Sequence, residues 1–341
     1  MHLARAIVSL LLLALPAAAL GDSLEDFYRG KTVTLFIGYD VGGGYDFYGR
    51  EIAKFLGRHM PGNPTVLPLN KPGASTMVLG NYLARQAPRD GTSFGIVNSA
   101  LVFDPLFSGA ASKAEFKGPD MTMIGNAVSA AAILLATRQS GVTSFEDLKS
   151  HSLVIGAMTR SGDTYVLPWA VKKVLGLDKL KIITGYPGTR EVAIAMEQGE
   201  VSGRVWDMEG MKAARPQWLQ DGSVTILAQL APQKAHEVPA QVPLVKDYIE
   251  REDDKRVLDV IFTSTILARP FIAPPDIPAE RAKALRDGFL ATLRDPDFVA
   301  EMNRAQVGID PISGEDMQHM VADAYALPPA LIQRVRDALA D

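Results

Sequence analysis

Short β-branched apolar runs that end in a glycine-rich turn and open a helix recur along this chain, and that alternation limits the folds open to it. Thr32 to Ile37 is one such run, a strand by length and composition. Gly42-Gly43-Gly44 follows, and a helix begins at about Tyr45. Tyr48, Ile52, Phe55 and Leu56 fall on one face of it, Asp46 lies in its first turn, and Lys54, Arg58 and His59 lie toward its end, charges placed to suit the helix dipole. Pro61-Gly62-Asn63-Pro64 stops it. Downstream, Thr65 to Leu69, Ser93 to Val97, Ile133 to Ala136, Leu153 to Ile155, Lys181 to Thr184 and Val224 to Leu227 read as strands. Ala74 to Gln86, Tyr165 to Leu175 and Glu191 to Gln198 read as helices, and Ser144 to Asp147 has the form of a capping box. Such alternation implies α/β layers on mostly parallel sheets.

The first residues set the compartment. His2 to Arg5 carry one positive charge, Ile7 to Leu15 are apolar except for Ser9, and Pro16-Ala17-Ala18-Ala19 supplies small residues. That is the layout of a secretory signal peptide cut after Ala19 or Gly21, and its apolar run is too short to span a membrane. The chain has no cysteine, which excludes a lipid-anchored lipoprotein, a disulfide framework and a thiolate zinc site. Stability then has to come from apolar cores, and 341 residues point to two domains. A formal net charge of −4 with both signs interspersed offers no footprint for nucleic acid.

The glycine turn invites a nucleotide reading, which fails on its own residues. A dinucleotide fingerprint starting at Gly42 needs glycine where Phe47 stands, and a phosphate loop starting at Gly44 meets Arg50-Glu51 where Lys and Ser or Thr are required. No Gly-x-Ser-x-Gly, His-Glu-x-x-His or EF-hand pattern occurs. His59, His151, His236 and His319 are scattered, so no metal, cofactor or catalytic residue is expected.

What the turns do supply is a place for an anion. The first N–H groups of a helix lack internal partners, the dipole favours negative charge there, and glycine lets a ligand approach the backbone. Three turns qualify: Gly42 to Asp46, Thr159 to Thr164, and Gly185 to Arg190.

Five stretches, in order, resemble the extracytoplasmic receptors of tripartite tricarboxylate transporters, the Bug type. They are Lys31 to Ile37 with Gly42-Gly43-Gly44-Tyr45-Asp46 and Arg50; Asn70-Lys71-Pro72-Gly73-Ala74; Ala87-Pro88-Arg89-Asp90-Gly91-Thr92; Gly185-Tyr186-Pro187-Gly188 with Gly199-Glu200-Val201; and Ile272 to Ala279. The likeness runs from about residue 28 to 320.

The resemblance implies a two-domain, periplasmic-binding-protein-like α/β fold of type II with a hinged interdomain cleft. Residues 22–126 plus 229–341 would form domain 1 and 127–228 domain 2, after a signal peptide at 1–21. In such receptors a ligand carboxylate is held largely by backbone N–H groups and small hydroxyls. Carried over by position, the contacts fall on Gly42, Gly43 and Asp46 in one domain and Ser161, Gly162 and Thr164 in the other. Asn98 and Ser99 are candidates on the first wall and Asp207 on the opposite one. Asp46, itself an anion, is expected to brace its loop or accept from a ligand hydroxyl, amine or water.

The chain departs from the family at Tyr45, where threonine is usual, and at Arg160, Asp163 and Arg190, where small residues are usual. Arg160 or Arg190 is a candidate for a second, distal carboxylate, and Trp206 with Tyr186 for an aromatic wall. The function implied is a monomeric periplasmic receptor delivering a di- or tricarboxylate, an acidic amino acid or an aromatic acid to integral-membrane permease subunits. Presentation of the ligand to a periplasmic sensor domain is the alternative. Acid–base catalysis by Asp46 and Asp207 is a third reading.

Overall fold

A computed structural model of the chain describes residues 23–340 apart from 130, 159, 161 and 306, and only the backbone of 209, 213 and 265. The signal peptide expected at 1–21 lies outside the described residues. Strands β1 (Thr32–Ile37), β2 (Thr65–Asn70), β3 (Ser93–Ile96) and β4 (Thr122–Asn126) belong to one sheet. Strands β5 (Ala132–Thr137), β6 (Leu153–Gly156), β7 (Leu180–Ile183), β8 (Gly203–Asp207) and β9 (Val224–Leu230) form a second. Strands β10 (Pro270–Ala273) and β11 (Ile312–Ser313) return to the first.

The two sheets repeat one plan. The first runs β11-β4-β10-β3-β1-β2 and the second β7-β6-β8-β5-β9. In each, three parallel strands joined by helices are followed by one strand antiparallel to both neighbours: β10 between β3 and β4, and β5 between β8 and β9. β3 and β10 are buried throughout, as helix-covered central strands must be, whereas β2, at the sheet's edge, has no fully buried residue. Ile37, Phe94, Phe271 and Phe289 anchor the core against the first sheet; Phe145, Leu153, Val205 and Phe262 anchor one against the second.

The chain crosses between the halves twice, and the two crossings run side by side. Ala127 N–H donates to the Arg269 carbonyl at 3.0 Å, Arg269 N–H to Asn126 Oδ1 at 2.8 Å, and Ser129 bridges to Leu267. The sequence placed the return near residue 228. Instead β9 is an edge strand of the second sheet, and Val245, Ile249 and the Glu252–Ile266 helix continue its core. The first sheet is re-entered only at Pro270. The C-terminal Pro329–Leu339 helix also packs against this second core, through Leu331 and Val335. Both segments are amphipathic, and sequence periodicity shows that a helix has an apolar face but not which core receives it.

The helix expected over Ala74 to Gln86 starts later, at Met77. Ala74, Ser75 and Thr76 have φ of +46°, +51° and +73°, a left-handed run that no L residue adopts without cost. Thr76 is buried there, and its Oγ1 accepts from Asn98 N–H at 3.0 Å. The Ser144–Asp147 box forms its reciprocal bonds, at 3.3 and 2.9 Å, but starts only the short 3₁₀ turn Glu146–Lys149.

Candidate functional site in the interdomain cleft

Strand ends from both sheets meet at the cleft, where ligands of open α/β sheets bind. From the first sheet, β1 leads through the glycine turn into the Gly44–Leu56 helix. Gly42 has φ +93°, a conformation that favours glycine. Its N–H donates to Asp46 Oδ2 at 2.9 Å. Asp46 is 3% exposed and also accepts from Arg50 Nε at 2.9 Å and Asn70 Nδ2 at 2.8 Å. Asn70 in turn bonds the Tyr39 carbonyl at 2.9 Å and receives Arg50 Nη2 at 2.6 Å. Burial pushes the Asp46 carboxyl up, but the bonds from Arg50, Asn70 and Gly42 outweigh it and hold it below the usual range. Asp46 therefore braces the turn, and its lone pairs are spent on that task.

Above the turn lies an aromatic floor. Tyr45 stacks on Tyr39 with ring centroids 4.2 Å apart. Burial raises both phenols, and that of Tyr48 to about 12. Tyr48 donates to the Gly308 carbonyl at 2.7 Å. Arg269, delivered by the return crossing, lays its guanidinium 4.3 Å from the Tyr45 ring centroid and 5.4 Å from that of Tyr48. A Cβ at Gly44 would sit 3.1 Å from Arg269 Nη2, so the arginine rests against the first residue of the helix. One of its nitrogens, Nη1, donates to the Ala268 carbonyl at 2.7 Å, while Nε is buried and no described residue accepts from it. A cation held against the positive end of a helix, with a donor to spare, is an arrangement that an anion completes.

Asn98 and Ser99 stand beside this floor just past β3. Asn98 Nδ2 donates to the Tyr39 hydroxyl at 3.0 Å, and its Oδ1 accepts from Ala100 N–H at 2.9 Å. Ser99 is 2% exposed, and its hydroxyl reaches across the cleft to Asp163 Oδ2 at 3.5 Å.

Asp163 opens the Asp163–Leu175 helix behind Gly162, its N-cap residue. Its side chain reaches water, yet atoms of both halves crowd it, and this desolvation pushes its carboxyl up against the smaller opposing pull of Ser99 and Arg269. Thr164 turns inward, its Oγ1 accepting from Met158 N–H at 3.3 Å. Ser161 lies outside the described residues.

Asp207, at the end of β8, caps the following helix, accepting from Gly210 N–H at 2.6 Å, and its charge is felt by Tyr48 across the cleft. Arg160 is exposed, its guanidinium 5.6 Å from the Tyr165 ring centroid, and Arg190 is exposed on the first turn of the Thr189–Glu197 helix. Trp206 is core rather than wall. It is 7% exposed, packs edge-on against Trp218, and carries Arg204 at 3.8 Å. Tyr186 ties its hydroxyl to Glu200 at 2.6 Å.

The structure thus brings Gly43, Tyr45, Asn98, Ser99 and the start of the Asp163–Leu175 helix to one space. Sequence reasoning missed Arg269 and Tyr39 and treated Asp163 only as a departure. The one local signal at Arg269 was a cation between the end of an amphipathic helix and Pro270. Among the described residues there is no group of His, Asp or Glu suited to a metal, and no helix long and apolar enough to cross a membrane.

The fold is a two-domain α/β architecture of the binding-protein kind, its halves joined by paired crossings. No family model and no curated protein matches the sequence. Among solved structures, the chain is similar to a TctC solute-binding protein from Polaromonas, with TM-score 0.69 and 19% identity over 90% of this chain and 99% of that one. It is also similar to the periplasmic binding protein BugD (TM-score 0.60, 17% identity, 91% and 98% covered). A third is MatC from Rhodopseudomonas palustris with bound malate (TM-score 0.60, 15% identity, 91% and 99% covered). The shared fold is that of periplasmic solute-binding proteins.

Proposed function

We propose that the protein is a periplasmic receptor of the tripartite tricarboxylate transporter type, which captures a small carboxylate in the cleft and delivers it to membrane permease subunits. The observation that carries this reading is Arg269: its guanidinium rests against the start of the Gly44–Leu56 helix with Nε buried and without an acceptor among the described residues. A ligand carboxylate would pair with that guanidinium, whose Nη2 lies beside Gly44, and accept from the first N–H groups of the helix. The malate-bound relative supports the same ligand class. Binding rather than turnover is favoured because the two aspartates considered as acid and base are otherwise engaged. Asp46 is saturated by donors and Asp207 caps a helix.

Calorimetric titration with a panel of small carboxylates tests this. The wild type should bind at least one at micromolar affinity or better, about −8 kcal/mol. Arg269→Ala should weaken that binding by about a hundredfold, the worth of hydrogen bonds to a charged group. Binding that survives Arg269→Ala unchanged would remove the basis of the proposal.

A further inference from the structure

The cleft holds a loosely bonded acceptor, Asp163, as well as the guanidinium of Arg269. Asp163 makes one hydrogen bond to a described residue, the 3.5 Å contact from Ser99, too long for a strong O–H···O bond. Arg269 acts on it as a charge through space and not through a hydrogen bond. An ionised carboxylate offers about four lone-pair sites; Asp163 is exposed, so water fills those that Ser99 leaves, and a ligand donor can displace that water. Asp46, one helix turn into the matching element of the other half, shows what supply looks like, with backbone, guanidinium and amide donors all in place.

Charge makes the same point. A ligand carrying two carboxylates would place one near Arg269 and bring the other under the fields of Asp163 and Asp207. That repulsion favours a ligand with one anionic end and one cationic end.

We infer that the ligand is a zwitterion, an aminocarboxylic acid whose carboxylate is taken by Arg269 and the Gly43-Gly44 turn and whose ammonium is taken by Asp163. This rests on the carboxylate-capture reading above and narrows it. Asp163 is then the residue that sets specificity, since an ammonium's three donors fill the acceptor sites that Ser99 leaves open.

The test compares acids that differ only in the amine: L-aspartate with succinate, L-glutamate with glutarate, L-leucine with 4-methylpentanoate, and L-phenylalanine with 3-phenylpropionate. Calorimetry on the wild-type protein should show, for the best pair, the amino acid binding on the order of ten- to a hundredfold more tightly, the usual worth of hydrogen bonds to a charged group. Asp163→Asn should erase that preference by weakening the amino acid while leaving its deamino partner unchanged or improved, with the melting temperature recorded to show that the variant is folded. Deamino partners that bind as well or better in every pair overturn the inference, as does an Asp163→Asn loss that is equal for both members. If deamino acids bind and Arg269→Ala abolishes it, carboxylate capture stands while the zwitterion falls. If no acid of either kind binds, both fall.

Discussion

The two halves present the cleft with the same device, a glycine N-cap opening a 13-residue helix with an aspartate in its first turn and no side-chain cap. Gly43 and Gly162 even share a backbone, with φ, ψ of −90°, 174° and −93°, 153°. Yet the aspartates do opposite things. Asp46 is buried and saturated, and its charge is neutralised by Arg50; Asp163 faces the cleft with one long bond. A carboxylate that is fully bonded within its own half is architecture, whereas one left short of donors at an interface is available to something else. The motif alone does not distinguish these fates; the neighbours supplied by the rest of the chain do.

Removing each side chain should separate them most sharply. Asp46→Ala strands the Gly42 N–H, Arg50 and Asn70, and should cost about 2–3 kcal/mol of stability in urea unfolding. Asp163→Asn should cost little or nothing, because the side chain is exposed and holds only one long bond. Equal losses would break the contrast. The pH dependence should differ in sign as well. The Asp46 carboxyl is depressed, so its stabilisation is complete above the ordinary value of 3.8 and is lost as pH falls through the lower folded pKa. The Asp163 carboxyl is raised, so between 3.8 and its folded pKa the folded state holds the extra proton, and stability falls as pH rises through that window. Urea midpoints of Asp46→Asn and Asp163→Asn against wild type, from about pH 3 to about pH 7, should therefore diverge in opposite directions. The smallest effect concerns the glycines. Gly44→Ala puts a Cβ 3.1 Å from Arg269 Nη2 and should weaken ligand binding by about 1 kcal/mol or less as the arginine shifts. At Gly43 a Cβ meets nothing within 4 Å, so Gly43→Ala should cost only the difference between glycine and alanine as an N-cap, about 1 kcal/mol or less, read as a small fall in melting temperature.

Much of the scaffold was legible because it is written locally. Thr32–Ile37 and Thr65–Asn70 declare themselves by composition, and the glycine turns by the residues that flank them. Short central strands without a turn signal, such as Gly203–Asp207 and Pro270–Ala273, did not. The neighbourhood of the candidate site was half legible for the same reason. Gly43, Tyr45, Asn98 and Ser99 sit at strand ends and could be found by position. Arg269 could not, because its meaning depends on Gly44 and Tyr45, which lie at the other end of the chain and reach it only through the return crossing. The role of Asp46 as a brace was open until Asn70 and Gly42 were seen to converge on it.

The antiparallel strand of the first sheet has a consequence for the order in which the molecule can be assembled. β3 and β4 are both present by residue 126, but the strand that belongs between them is Pro270–Ala273. A chain that emerges N-terminus first therefore carries two unsatisfied edges until almost four-fifths of it has appeared. Pairings this distant close slowly, and open edges invite wrong partners. The same delay keeps the first half from locking early, and in the exported receptor proposed above it would leave the chain time to be threaded through a narrow channel before it folds.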